Sequence, residues 1–305
     1  MGKLVDLLRR TTGLLRHQSA RSAQLVWPIP VQPGNSHGDD ATFGECPVWH
    51  AARGELFWLD IPSGVLRAYH TDSRTVKSWP LANPSAGLAL EPGQNTMLVG
   101  QELQLLRFDP TTKDVSYVAT VPGGDSGERI NDLRFDAVGS LWVATMDKTA
   151  TRPTGRLLRR SRDDVWETML DGVPIMNGPA FNDGGDIGYA CDTTNRRVLR
   201  FDVPAPGMPL VAQEFARFAG ADGYPDGIAV APDGSLWVAH YAGACLTRWD
   251  STGRCVERVA VNARNTTSVA IVGRNLYITT AALNSNDEKW KRSDSGGGLF
   301  MLQAH

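Results

Sequence analysis

Four residues with carboxylate or amide side chains occupy the same place in a pattern that recurs along the sequence: Glu45, Asn131, Asn177 and Asp226. Side-chain oxygens of these kinds, brought to one centre, suit a hard divalent cation such as calcium, magnesium or manganese. Each residue alone has a plainer explanation, because Asp and Asn before a strand commonly form turns or caps, as in the turn dipeptide Asp226-Gly227. The shared position favours a metal site over four unrelated turns.

The recurring pattern contains a β-hairpin. The pentapeptide SLWVA occurs at Ser140–Ala144 and again at Ser235–Ala239, and a strand-like run precedes each copy. The connecting segments, 136–139 and 231–234, carry the Asp and Gly that tight hairpin turns favour. Related segments begin at six marker positions, 41 to 49 residues apart: Glu45, Ala86, Asn131, Asn177, Asp226 and Thr267.

Each unit continues with a third strand and often a fourth, while helical periodicity is nearly absent after residue 22. Four strands in a unit of this length are typical of a propeller blade rather than a sandwich. The sequence therefore predicts an all-β fold, a six-bladed β-propeller with four-stranded antiparallel blades around a central channel, over residues 23–305. The last unit stops at its third strand, so we expect the unassigned strand Ala23–Pro30 to complete it and close the ring.

The repeat also predicts where a site lies. Successive blades are related by rotation about the central channel, so equivalent positions form a ring around that axis. The marker position falls just before the innermost strand of each unit, at one mouth of the channel. We therefore expect the polar marker side chains to converge there.

Composition limits the partners and the compartment. A net charge of −2 gives no footprint for nucleic acid, which needs clustered Lys and Arg. The four cysteines form no CxxC pair, as expected of free thiols in a reducing compartment. No apolar run has the length of a membrane span or signal peptide, so we expect a cytoplasmic protein without a membrane span. The sequence does not indicate an oligomeric state.

The N-terminus, residues 1–22, forms a basic extension with leucines at roughly helical spacing. This composition is compatible with a membrane-surface or targeting helix. A frayed or loosely docked extension is favoured, because the apolar stripe is short and lacks aromatic residues.

Five segments, in this order and spacing, resemble the senescence-marker-protein, gluconolactonase and luciferin-regenerating-enzyme family: Gly44–Trp49, Arg129–Met146, Asn177–Gly185, Tyr224–Ala239 and Leu276–Ala281. The resemblance covers about residues 40 to 303. It implies a six-bladed propeller that binds one divalent metal ion and, in most bacterial members, hydrolyses sugar lactones.

The resemblance implies roles for individual residues. Three of the ring positions match the family's metal ligands: Glu45, Asn177 and Asp226. Arg129 and Asn131 match its substrate contacts, and a guanidinium with an amide supplies the directional hydrogen bonds that a polyol needs. Arg129 has the alternative of a surface ion pair.

The chain departs from the family pattern at three places. Cys46 stands where a glycine is common, and Glu128 replaces a frequent asparagine. Asp147 is near, but offset from, the position of a family acidic residue. These differences concern the substrate rather than the metal.

The sequence favours metal-assisted hydrolysis. It contains neither G-x-S-x-G nor H-E-x-x-H, and Cys46 has no evident histidine partner, so a structural or substrate-lining role is expected for it. A cation, Ca²⁺ first and Zn²⁺, Mg²⁺ or Mn²⁺ as alternatives, would polarise the lactone carbonyl while Asp226 takes a proton from water, giving the aldonic acid. Two other functions stay open: a non-catalytic calcium-binding or interaction propeller, and a phosphotriester hydrolase at the same metal.

Overall fold

The computed structural model describes residues 21–27, 43–81, 84–282 and 296–303. Within these ranges the chain forms 24 strands in six four-stranded antiparallel sheets. The only helices in the described ranges are two single 3₁₀ turns, Ala51–Arg53 and Gly220–Asp222. The predicted all-β, six-bladed propeller is confirmed. Residues 1–20 of the proposed basic extension lie outside the described residues, so its boundary stays a prediction.

The first three blades follow the chain order from the innermost strand to the outermost. Blade 1 comprises β2 (Gly44–His50), β3 (Glu55–Asp60), β4 (Val65–His70) and β5 (Val76–Pro80). Blade 2 comprises β6 (Ser85–Leu90), β7 (Met97–Gln101), β8 (Gln104–Phe108) and β9 (Val115–Thr120). Blade 3 comprises β10 (Glu128–Phe135), β11 (Leu141–Asp147), β12 (Gly155–Arg160) and β13 (Trp166–Val173).

Blades 4 and 5 repeat this order, and blade 6 combines both ends of the chain. Blade 4 comprises β14 (Met176–Phe181), β15 (Ile187–Asp192), β16 (Arg197–Asp202) and β17 (Ala212–Arg217). Blade 5 comprises β18 (Tyr224–Val230), β19 (Leu236–Tyr241), β20 (Cys245–Trp249) and β21 (Cys255–Ala260). Blade 6 comprises β22 (Asn265–Val272), β23 (Asn275–Ala281), β24 (Leu299–Gln303) and β1 (Gln24–Trp27).

The N-terminal strand closes the ring, as the sequence predicts. β1 pairs antiparallel with β24, with Gln24 opposite Met301 and Leu25 opposite Phe300. The preceding residues also reach blade 5, where the Ala260 amide donates to the Arg21 carbonyl oxygen over 3.1 Å. Residues 21–27 are thereby hydrogen-bonded to strands of blades 5 and 6 that are far from them in sequence.

Apolar side chains fill the space between neighbouring blades, and the repeated tryptophans lie at its centre. Trp142 is fully buried between blades 3 and 4, with its ring centroid 5.7 Å from that of Phe201. Trp237 occupies the equivalent strand position in blade 5 and packs in one cluster with Phe300 of blade 6. The two SLWVA copies recur because each supplies a strand that packs blade against blade.

Every innermost strand contains a shift in its pairing register at the marker position. The shifts lie between Glu45 and Val48 in β2, and likewise in β6, β10, β14, β18 and β22. Such a bulge leaves a residue unpaired and re-aims its side chain. The marker residues therefore lie inside the strands, and the expectation that they precede them is wrong. The turn alternative for Asp226-Gly227 is wrong for the same reason.

Candidate metal and substrate site

Three buried carboxyl groups come from the inner strands of three blades: Glu45, Asp132 and Asp226. Burial, together with the charge of Asp132, raises the pKa of Glu45 to about 8. Burial and the charges of Glu45 and Asp132 raise the pKa of Asp226 well above its usual range. Burial raises the pKa of Asp132 to about 6. The two acidic marker residues are therefore brought together at one channel mouth.

Arg129 is the positive group that faces Glu45 and Asp226, whereas Arg134 acts on Asp132. Its charge lowers the pKa of Glu45 and of Asp226, while its own pKa is lowered by burial. In the described part of the chain neither acid forms an ion pair with Lys, Arg or His, and Asp226 accepts no hydrogen bond. Two guanidinium groups facing three buried carboxyl groups leave excess negative charge when the acids ionise, which a divalent cation would balance.

The two asparagines of the ring are in direct contact. Asn131 Nδ2 donates to Asn177 Oδ1 over 2.7 Å and to the Met176 carbonyl oxygen over 3.0 Å. Asn177 Nδ2 in turn donates to Thr193 Oγ1 over 2.9 Å. Asn177 Oδ1 keeps a second lone pair, so it can still serve as a metal ligand.

Arg129 and Asn131, the residues expected to contact substrate, lie side by side at the site. Arg129 Nη1 donates to Asn131 Oδ1 over 3.2 Å and to the Ile130 carbonyl oxygen over 2.8 Å. Arg129 forms no ion pair with a described residue, which disfavours the surface-pair alternative. Its second terminal nitrogen remains available to a bound molecule, whereas Asn131 retains only one acceptor position.

The side chains expected to hold the metal ion are two carboxylates and one amide. Among the described residues, no three His, Cys, Asp or Glu side chains cluster so as to hold a metal by themselves. The expected ligands Glu45, Asn177 and Asp226 offer oxygen atoms only, and all three are buried. Such a set fits a hard cation better than a soft one.

Cys46 supports the site through its backbone. Its amide donates to Glu45 Oε2 over 2.8 Å, and its φ of 52° lies in the left-handed region that favours glycine. Burial, with the charges of Asp132 and Glu45, raises the pKa of the thiol well above its ordinary value. The thiol therefore stays protonated at neutral pH, which disfavours a nucleophilic role.

The other two departures from the family pattern are neutralised by arginines outside the ring. Glu128 accepts from Arg156 Nε over 2.9 Å and is 3% exposed. Asp147 pairs with Arg152 over 2.8 Å, and hydrogen bonds from Thr149 and the Thr151 amide lower its pKa. Neither Glu128 nor Asp147 is therefore available to a metal ion or substrate bound at the ring.

Sequence reasoning missed Asp132 and Tyr241. The only signal for Asp132 is that it directly follows Asn131, and its carboxylate accepts from the Gly178 amide over 3.1 Å. Burial, together with the charge of Asp226, raises the pKa of Tyr241 to about 12, and its ring stacks on Phe43 at 6.1 Å. Nothing in the repeat marks Tyr241, because it ends a second strand rather than an innermost one.

A separate cavity of about 450 Å³ lies toward the other mouth of the channel, lined by residues of all six inner strands. Trp49, Phe135 and Phe181 contribute to its wall, and Arg134 also lines it. Because these residues follow the marker positions along the inner strands, the cavity does not include the acidic ring.

Comparison with known proteins identifies the family. The family model described as "SMP-30/Gluconolactonase/LRE-like region" matches residues 43–282. The chain therefore belongs to this family. A pentonolactonase of Haloferax volcanii is 30% identical, over 85% of this chain and 90% of its own. An L-arabinolactonase of Azospirillum brasilense is 29% identical, over 86% of this chain and 88% of its own.

Solved structures agree on the fold of the family. A calcium-binding regucalcin of Agrobacterium tumefaciens superposes with a TM-score of 0.81 at 22% identity, covering 93% of this chain and 96% of its own. Among the described residues, no helix is long and apolar enough to cross a bilayer.

Proposed function

We propose that this protein hydrolyses a sugar lactone to the aldonic acid in a reaction that depends on a divalent cation. Relatives named as lactonases, at about 30% identity over most of the chain, support the lactone as substrate class. The convergence of Glu45, Asn177 and Asp226 beside Arg129 is the observation that carries the proposal. Ca²⁺ is the first choice for an oxygen-only set, with Mg²⁺, Mn²⁺ and Zn²⁺ as alternatives.

The proposed mechanism assigns each residue a task. Glu45, Asn177 and Asp226 would hold the cation, which supplies positive charge to polarise the lactone carbonyl. Arg129 binds and orients the sugar hydroxyls through its free terminal nitrogen, and Asn131 accepts from one hydroxyl. Asp226 takes the proton of the attacking water, and the positive charge of a bound cation would keep its carboxyl ionised for that role despite the burial that raises its pKa. The proton then passes to the alkoxide released as the ring opens.

A calcium-binding protein without hydrolytic activity is the second candidate. Its support is the similarity to proteins named regucalcin, one of which is titled as calcium-binding. This function needs the cation site but gives no task to Arg129. A phosphotriester hydrolase at the same site is the third candidate, and nothing in the pattern of side chains favours it over a lactonase.

Steady-state assays on a panel of aldonolactones, with and without chelator, test the proposal. We expect hydrolysis that is lost on metal removal and restored by a divalent cation. Calcium binding without turnover of any lactone would favour the second candidate. Hydrolysis of a phosphotriester such as paraoxon, but of no lactone, would favour the third.

A further inference from the structure

Thr193 connects two of the expected metal-ligand positions. It lies in the turn after β15 and is 7% exposed. Its Oγ1 accepts a hydrogen bond from Asn177 Nδ2 over 2.9 Å and donates one to the Pro225 carbonyl oxygen over 2.9 Å. Asn177 is a ring residue of blade 4, and Pro225 directly precedes the ring residue Asp226 of blade 5.

The direction of these hydrogen bonds is fixed by chemistry. The Pro225 carbonyl oxygen can only accept, so the single hydroxyl proton of Thr193 is directed to it. The hydroxyl oxygen then has only acceptor capacity left for Asn177. Asn177 must therefore present its NH₂ group to Thr193, which turns its Oδ1 toward the ring residue Asn131.

Hydrogen bonds link Arg129 to Asn131 and Asn131 to Asn177, and they require the same orientation of the Asn177 amide. The Arg129 guanidinium can only donate, so Asn131 must present Oδ1 to it. Asn131 Nδ2 then faces Asn177 Oδ1 at 2.7 Å. The Arg129 guanidinium, which can only donate, and the Pro225 carbonyl, which can only accept, thus determine the orientation of both amides. The shape of an amide alone does not distinguish its oxygen from its nitrogen.

We propose that Thr193 is a positioning residue, which orients the Asn177 amide so that its oxygen, rather than its NH₂ group, faces the cation site. This inference rests on the proposed function of the ring as a metal site. Without the hydroxyl, only the hydrogen bond from Asn131 Nδ2 opposes a half-turn of the Asn177 amide, which would present a donor to a cation. Groups that hold a metal ligand in place commonly change metal affinity by about 10- to 100-fold when they are removed.

The main test is the calcium affinity of Thr193→Val, measured by isothermal titration calorimetry on the full chain after metal removal. Valine keeps the shape but removes the hydroxyl, and we expect Kd to rise by about tenfold or more. Thr193→Ser keeps the hydroxyl and should stay within about threefold of the unchanged protein. Thr194→Val is the matched control, because the buried Oγ1 of Thr194 has no hydrogen-bond partner among the described residues.

A double variant separates orientation from general disturbance. In Asn177→Asp both side-chain termini are oxygens, so the orientation of the group no longer decides what faces the cation. We expect Thr193→Val to change Kd by less than about threefold in this background, far below its effect on the unchanged amide. If Thr193→Val does not fold, Thr193→Ala takes its place.

Several outcomes would overturn the inference. These are an unchanged Kd for Thr193→Val, equally weak binding by Thr193→Ser, and an equal loss in the Asn177→Asp background. If the unchanged protein binds none of Ca²⁺, Mg²⁺, Mn²⁺ and Zn²⁺, the metal proposal fails. The orientation is then tested alone, from the Asn177 side-chain amide resonances of the metal-free protein. These should shift in Thr193→Val and not in Thr194→Val, and an unshifted spectrum would overturn it.

Discussion

The carboxyl groups of Glu45 and Asp226, on the first and fifth blades, lie close enough that the charge of Glu45 raises the pKa of Asp226. Neither group forms an ion pair with a described residue, and the nearby Arg129 offsets them only in part. Two buried acids whose pKa values are both raised should bind a shared cation in competition with protons.

Metal affinity should therefore rise with pH. The pKa of Glu45 is raised to about 8, so this carboxyl is mostly protonated below that pH and must release a proton when a cation binds. We expect the apparent Ca²⁺ association constant to increase between pH 6 and 8, by up to about tenfold per pH unit for each proton released. Calorimetric titrations at pH 6, 7 and 8 measure this slope.

Two variants serve as controls for the pH dependence. Glu45→Gln should weaken binding and reduce the slope, because one titrating ligand is gone. Glu214→Gln should alter neither, because Glu214 pairs with Arg217 on the outer strand of blade 4. A pH-independent affinity of the unchanged protein would contradict the assignment of Glu45 as a ligand.

Arg129→Ala should impair substrate binding and spare the metal. The guanidinium is expected to hold sugar hydroxyls, so KM should rise by about tenfold or more, with a smaller change in kcat. Its positive charge opposes a cation at Glu45 and Asp226, so metal content should not fall. Lactone kinetics and metal analysis of the same preparation test both statements. Loss of metal would show that Arg129 supports the ligands instead.

Asp226→Asn should separate the two tasks assigned to this residue. The amide keeps the shape and one ligand oxygen but removes the charge, so metal affinity should weaken. Loss of the general base should lower the rate by at least about a hundredfold. Excess metal should restore occupancy without restoring the rate. If saturating metal brings the activity back, Asp226 is only a ligand and the base lies elsewhere.

His240 should make the fold less stable in mild acid. Burial lowers its pKa to about 4, with Arg258 contributing. Its Nδ1 hydrogen donates to the Asp222 carbonyl oxygen over 2.8 Å, and Nε2 lies 2.7 Å from Thr247 Oγ1. Below its unfolded pKa of about 6.5, only the unfolded chain binds the proton. This group should therefore remove on the order of 3 kcal/mol of stability between about pH 6.5 and 4.

Urea unfolding at pH 7.5 and pH 5 measures this effect. His240→Asn retains a donor for the Asp222 carbonyl and cannot titrate, so its unfolding free energy should fall less between the two pH values. An equal fall in the variant and the unchanged protein would assign the acid sensitivity to other groups.

The sequence alone determined the blade count, and it predicted the place of the candidate site. Six repeats of similar length predict six blades, because each unit must pack against its neighbours to bury its apolar faces. The marker position predicts a ring, because repeated units are related by rotation. The incomplete last repeat and the unassigned strand near residue 24 together predict the closure found between β1 and β24.

The tertiary structure alone decided how the ring residues are oriented and held. The register shift that follows Glu45 and the one that contains Asp226 depend on pairing with the next strand, which a periodic pattern does not specify. Thr193 belongs to a turn after a second strand, so no repeat position marks it. Its hydrogen bonds join residues 16 and 32 positions away along the sequence. The first contact arises when the strands of blade 4 pair, and the second only when blades 4 and 5 pack side by side, whereas local propensity acts over a few residues.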